Sequence, residues 1–145
     1  MKASSLGLAL LVSVVVGCND STGPASPSEF VGDWLATSYV LTSVENTSLS
    51  ADLIDIGMGL SITFTETTYA GTSTFPGEED ESFSGTYTID GNELILVEVG
   101  EPGTDTMTYT LSGNTLTMTG TDESFDFDDD GQEDPASFTM VFARQ

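Results

Sequence analysis

Thr86-Tyr87-Thr88-Ile89-Asp90-Gly91-Asn92-Glu93-Leu94 and Thr108-Tyr109-Thr110-Leu111-Ser112-Gly113-Asn114-Thr115-Leu116 are two copies of one pattern. Each is a strand of alternating polar and apolar residues, a Gly-Asn turn, and the opening of the next strand. Alternation with a period of two sends successive side chains to opposite faces of a strand, and Gly and Asn tolerate the positive φ angles of tight hairpins. The same reading extends outward in both directions. Trp34 to Leu41, Leu60 to Thr65, Thr68 to Phe75, Ser82 to Ile89, Glu93 to Val99, Thr106 to Leu111, Thr115 to Thr119 and Phe138 to Ala143 read as strands. Tyr87, Ile89, Met107, Tyr109, Leu111, Leu116, Met118, Phe138, Met140 and Phe142 share one face, and threonines coat the other. That is a half-buried antiparallel sheet. Closing it into an up-and-down barrel removes its exposed edges; a one-sided sheet is the competing arrangement.

One stretch departs from the strand pattern. Leu49, Leu53 and Ile56 fall at helical spacing, with Ser50 placed to cap a helix and Gly57 to stop it. The expectation is therefore all-β, with one short helix between the first two strands.

The first residues set the compartment. Lys2 is followed by a nearly continuous apolar run from Leu6 to Val16, too short for a bilayer-spanning helix, which takes roughly 20 residues, but right for a signal-peptide core. Val15-Val16-Gly17-Cys18 resembles the bacterial lipobox, in which a small residue precedes a Cys that is lipidated and becomes the new N-terminus. Val16 stands where that motif more often has Ala or Ser. Lipidation would account for a lone cysteine in an oxidising compartment, and multiple acyl chains anchor stably where one does not. This division makes residues 1–17 a signal peptide, 18–29 the lipidated Cys18 and a Ser/Pro-rich flexible tether, and 30–145 one domain. The expected location is the bacterial cell envelope, lipid-anchored to a membrane.

Composition excludes several classes. The chain carries 24 acidic and 2 basic residues, no histidine, and a formal charge of −22, which becomes −23 once Lys2 leaves with the leader. Nucleic-acid binding needs Lys and Arg to neutralise phosphates and is ruled out. Docking to anionic lipid by charge is equally disfavoured, so the acyl chains must do the anchoring. Without His, without Lys in the mature chain, and with its one Cys assigned to lipid, the chain can form no Ser-His or Cys-His pair and no His-based zinc site. It reads as a non-enzyme that requires no cofactor.

Two residues at opposite ends of the domain sharpen the fold. Gly32-Asp33-Trp34 opens the first strand, and Arg144 lies one residue from the C-terminus. This pairing resembles the lipocalin-like barrels, in which an Arg on the last strand packs over a Trp on the first. The resemblance implies an eight-stranded lipocalin-like barrel with Trp34 and Arg144 at its closure, and a first connection, here residues 49–57, folded over the barrel mouth as a lid or plug. A barrel of this size is either filled by side chains or just wide enough for one small ligand. Phe64, Tyr87, Tyr109, Met118 and Met140 are the candidate cavity lining; the same five residues also describe a packed core. A ligand of so acidic a protein should be neutral or cationic.

A second candidate site is Asp126-Phe127-Asp128-Asp129-Asp130-Gly131-Gln132-Glu133-Asp134. Aligned as D-x-D-x-D-G-x-x-D, it sets Asp126, Asp128, Asp130 and Asp134 at loop positions 1, 3, 5 and 9, and the Gln132 carbonyl at position 7, around one hard cation. It resembles calcium loops of the EF-hand, dockerin and thrombospondin-repeat kind. It departs from them at position 12, where Ser137 replaces the bidentate Glu. A structural calcium would draw the last hairpin together; a solvated acidic loop is the bland reading.

The sequence thus points to a membrane-anchored lipoprotein whose lipocalin-like domain binds a small apolar ligand or a surface partner. The alternative is a calcium-stabilised structural module of the envelope with a filled barrel. Inhibition of an exported enzyme, a role that small bacterial β-barrel lipoproteins also take, is a third reading.

Overall fold

A computed structural model describes residues 24–145; the apolar leader and Cys18 lie outside the described residues. One helical turn, α1 (Pro27–Phe30), precedes nine strands: β1 (Gly32–Ser43), β2 (Ser50–Asp52), β3 (Gly59–Phe64), β4 (Thr68–Thr74), β5 (Glu81–Asp90), β6 (Glu93–Glu98), β7 (Asp105–Ser112), β8 (Thr115–Phe125) and β9 (Asp134–Arg144). Each strand from β3 to β9 pairs antiparallel with the next, and β1 pairs with both β3 and β9. Eight strands therefore close into an up-and-down barrel, with β2 as a short addition on β1.

The repeated pattern forms as expected. Gly91 and Gly113 open two-residue turns with φ of 63° and 58°, the positive value a type II′ hairpin asks of its first position. The asparagines do not share the left-handed conformation. Their carbonyls instead accept from the neighbouring strand, Asn92 from the Tyr109 N–H and Asn114 from the Arg144 N–H, both at 2.9 Å. β8 and β9 run further than their alternation suggested, to Phe125 and from Asp134, across an irregularity between Gly120 and Glu123.

Residues 49–57 are not the expected helix. Ser50–Asp52 pairs with Val40–Thr42, and residues 53–57 form turns. The cause is β1 itself. β3 pairs with β1 only over Gly32–Leu35, which leaves the upper edge of β1 without a partner. β2 occupies that edge, and the Asp52 carboxylate takes up the freed donors: Oδ1 accepts from the Tyr39 N–H at 3.0 Å and Oδ2 from the Ser38 hydroxyl at 2.7 Å. Oδ1 also accepts from the Ile54 N–H at 3.0 Å, an Asx turn that competes with helix. Leu53 is buried while Ile56 is 60% exposed, so no helical stripe forms.

The helix lies before β1 instead, with Pro27 to Glu29 in the stretch expected to be tether and Phe30 the first residue of the expected domain. Pro27 stands at its first position, where a missing N–H costs nothing, and the Glu29 carboxylate accepts from the Ser26 N–H at 2.6 Å, half of a capping box. The turn is held against the barrel: the Ala25 N–H donates to the Tyr109 hydroxyl at 2.9 Å.

Candidate functional site

The hairpin turns at 65–67, 91–92 and 113–114 share one end of the barrel with α1 and Arg144. The longer connections, 53–58, 75–80, 99–104 and 126–133, share the other. The two ends differ in chemistry.

The first end is solid. Phe30 is fully buried and enters the space between the strands, its ring 5.6 Å from Phe64, 6.0 Å from Tyr87 and 5.0 Å from Tyr109. Those three candidate lining residues thus surround an aromatic plug. The Tyr87 hydroxyl is spent on the Thr65 carbonyl at 2.7 Å, and the Tyr109 hydroxyl on the Gly91 carbonyl at 3.1 Å. Met118 and Met140 face each other in register across β8 and β9, Met118 buried and Met140 half-buried.

Trp34 and Arg144 meet here. They are register partners at the β1–β9 seam, with the guanidinium carbon 4.2 Å from the indole centroid, inside cation–π range. Arg144 also donates to the carbonyls of Val31 and Glu29, each at 2.5 Å, and the indole N–H donates to the Phe30 carbonyl at 2.8 Å. One side chain thereby ties the last strand to α1 and the first strand. Gly32 explains itself in this setting: its φ is +135°, and a Cβ there would stand 2.9 Å from an Arg144 nitrogen. The Gly-x-Trp motif is the space the arginine needs.

This constellation sits at the seam of a closed eight-stranded meander. The sequence profile of the lipocalin-like domain matches residues 30–118. The chain belongs to the lipocalin-like domain family. Among solved structures, a lipocalin-like protein from Bacteroides uniformis is similar at 14% identity, covering 81% of this chain and 99% of its own, with a TM-score of 0.51. An uncharacterized protein from Bacteroides eggerthii is similar at 10% identity, covering 80% and 99%, with a TM-score of 0.49. Comparison with curated proteins finds no match. At 14% identity the likeness to the Bacteroides uniformis protein concerns the fold alone.

The mouth of this lipocalin-like barrel is built otherwise. Phe83, Leu96 and Met140 point inward yet stay half-buried. Tyr39 and Phe138 pack edge to face at 6.3 Å. Three acids, Glu98, Asp105 and Glu123, stand in step with the inward Leu96, Met107 and Ala136, Glu98 half-buried and the other two exposed at the rim. The Tyr39 hydroxyl donates to Glu123 Oε1 at 3.2 Å. Burial and the Glu123 charge push the Tyr39 hydroxyl well above its ordinary value. Burial also raises the Glu123 carboxyl, against the Tyr39 hydrogen bond and with added repulsion from Asp105 and Asp122. Sequence reading passed over these residues. Their signal was present as parity, since Leu94-Ile95-Leu96-Val97-Glu98 and Asp105-Thr106-Met107-Thr108-Tyr109 each put an acid in phase with core residues.

The acidic loop joins β8 to β9 at the same end. Its geometry brings Asp126, Asp128 and Asp130 together, with carboxylate oxygens within 4.8 Å of one another. Asp126 accepts from the N–H groups of Asp130 at 3.2 Å and Gly131 at 2.9 Å, and Asp130 from Gln132 at 2.8 Å. Asp134 does not join them; it opens β9, paired with Phe125. Glu133 instead accepts from the Ser124 hydroxyl. On the outer face of β3–β5, small residues including Ser61, Thr63, Ala70, Thr72, Ser82 and Ser84 line a 390 Å³ depression.

Proposed function

We propose that this protein is a non-catalytic binding module of the bacterial envelope, tethered through lipid on Cys18, that holds a small apolar molecule in the mouth half of its barrel. The observation that carries this reading is the contrast between the two ends. Phe30 fills one, while Phe83, Leu96 and Met140 at the other direct apolar surface inward without being fully covered. Apolar side chains that face a barrel interior and retain exposure are what a small-molecule site offers. The absence of histidine and of a free lysine in the mature chain supports the non-catalytic side of the proposal.

Ala25 is bound at the closed end; with an anchor on Cys18, the lipid would lie on that side and the mouth would face away from it.

Native mass spectrometry of gently purified protein tests the carrier reading. A co-purifying organic mass that survives a chelator supports it, and bare protein counts against it. Incorporation of labelled palmitate, abolished by Cys18→Ser, tests the anchor. A second reading, a calcium-stabilised envelope module, draws on the convergence of Asp126, Asp128 and Asp130. The same spectra report it as a calcium mass lost with the chelator. With Ser137 in place of the twelfth-position Glu, affinity belongs in the weak extracellular class, with Kd on the order of 10⁻⁴ to 10⁻³ M.

A further inference from the structure

Four tyrosines occur in the chain, and three spend their hydroxyls within it: Tyr39 on Glu123, Tyr87 on Thr65, and Tyr109 on Gly91. Tyr69 does not. Only 3% of it is exposed, and since no buried side-chain polar atom among the described residues lacks a partner, its hydroxyl, which bonds no described residue, is the part that keeps contact with solvent. Its ring lies across Gly85, where a Cβ would stand 2.9 Å from the hydroxyl oxygen, and Gly85 is in register with Glu98. The hydroxyl is thus directed over the glycine toward the acids of the mouth. Burial and then the charges of Glu98 and Asp105 push it above its ordinary value, as proximity to two carboxylates requires.

Those acids have no counter-charge. Arg144 is the one basic residue among the described residues, and it is engaged at the opposite end over Trp34. Glu98 is half-buried and Asp105 and Glu123 are exposed at the rim, and like charges gathered there repel until something positive enters between them. A metal ion is the wrong size. The described residues hold one trio of acids whose oxygens come within 4.8 Å of each other, and it is Asp126, Asp128 and Asp130, not Glu98, Asp105 and Glu123. With the Tyr39 hydroxyl on Glu123 and the Tyr69 ring packed against Phe83 nearby, the setting suits a larger and softer cation.

We propose that the barrel mouth selects an organic cation, an ammonium group on an apolar body, with Glu98, Asp105 and Glu123 supplying the charge and Tyr69 the free hydrogen-bonding group. This rests on the carrier reading above and specifies its ligand class. It assigns the mouth acids a role in recognition, distinct from the solubilising role of acids on loops and outer faces.

The test uses the full, natively lipidated chain in phosphatidylcholine nanodiscs, with empty discs as the blank. Calorimetric titration with benzyltrimethylammonium should show one-to-one binding, at least about tenfold tighter than benzyl alcohol and tighter still than benzoate, the margin expected of desolvated cation–π and ionic contacts. Glu98→Gln combined with Asp105→Asn and Glu123→Gln should weaken the cation by about tenfold or more and leave N-phenyl-1-naphthylamine, a neutral apolar probe, unchanged. Asp126→Asn with Asp128→Asn and Asp130→Asn removes equal charge elsewhere and should leave cation binding intact. Equal loss from both triple variants would mean bulk charge attraction and overturn the proposal. Binding of the neutral probe without preference for the cation would also overturn it while sparing the carrier reading. Binding of neither would sink both. Circular dichroism of each variant identifies any that fails to fold; Tyr69→Phe, which removes only the hydroxyl, then supplies the comparison between benzylammonium, which can donate to it, and the trimethylated cation, which cannot. Loss confined to benzylammonium is the expected result, and no change in either overturns the role of Tyr69.

Discussion

Arg144 concentrates more of the closure than any other single residue. It stacks on Trp34 and donates to two carbonyls of the leading segment, so its removal opens the seam at three points. Arg144→Ala should cost about 2 kcal/mol, from one cation–π contact and two charge-assisted hydrogen bonds discounted for exposure, and lower Tm by several degrees in thermal circular dichroism. Arg144→Lys should recover less than half, because an ammonium lacks the planar fork that reaches both carbonyls; full recovery would show that charge alone matters. Glu123 works in the opposite sense. Its carboxyl is held above its ordinary value of 4.5, so the folded state binds its proton more tightly than the unfolded chain does. Stability from this group is present below pH 4.5 and is lost as pH rises through the elevated value. Glu123→Gln should therefore flatten the decline in the denaturation midpoint between pH 4.5 and neutrality, and an unchanged slope would place the effect elsewhere.

Strand β2 and the turn after it show how an element can be misread. Leu49, Leu53 and Ile56 have helical spacing, but the upper edge of β1 offers unpaired backbone, and pairing it is worth more than one isolated helical turn, whose nucleation is unfavourable. Asp52 makes the exchange work. Its carboxyl is held below the ordinary 3.8: burial opposes this, but hydrogen bonds from the Tyr39 N–H, the Ser38 hydroxyl and the Ile54 and Asp55 N–H groups outweigh it. The associated stability is present above pH 3.8 and is lost as pH falls through the depressed value. Asp52→Asn should remove that acid limb and speed amide exchange at Tyr39 and Ile54; unchanged exchange would mean that β2 holds without the carboxylate. At the other end, α1 exists because Phe30 is buried beneath it. Phe30→Ala should cost about 3–5 kcal/mol, as large aromatic truncations in cores do, measured by urea denaturation. A loss under 1 kcal/mol would mean that the plug is dispensable.

For the molecule as a whole, charge is the dominant unbalanced quantity. The whole chain carries −22, and Arg144 is the one basic residue of the domain; self-repulsion is relieved by screening, so sodium chloride should raise Tm. Calcium should raise it further than sodium chloride at equal ionic strength if Asp126, Asp128 and Asp130 act together. Asp126→Asn with Asp130→Asn should abolish the difference while sparing the salt effect; equal shifts in the parent protein would reduce the loop to a solvated acidic turn.

What the sequence determined by itself was local and periodic. The Gly-Asn hairpins and the alternation of Thr with Tyr, Leu and Met carry strand identity and the meander order, because a two-residue period and a tight turn constrain only neighbours along the chain; closure was implied by the family resemblance carried on Gly32-Asp33-Trp34 and Arg144. Tertiary structure decided what depends on distant residues meeting. It placed Phe30 among Phe64, Tyr87 and Tyr109, so the candidate cavity lining surrounds a plug. It turned a helical pattern into an edge strand because β3 diverges from β1. It gathered Glu98, Asp105 and Glu123 at one mouth from three strands. Closure fixes which ends of the strands share a rim and how far each is staggered against the next, and no window of sequence contains that information.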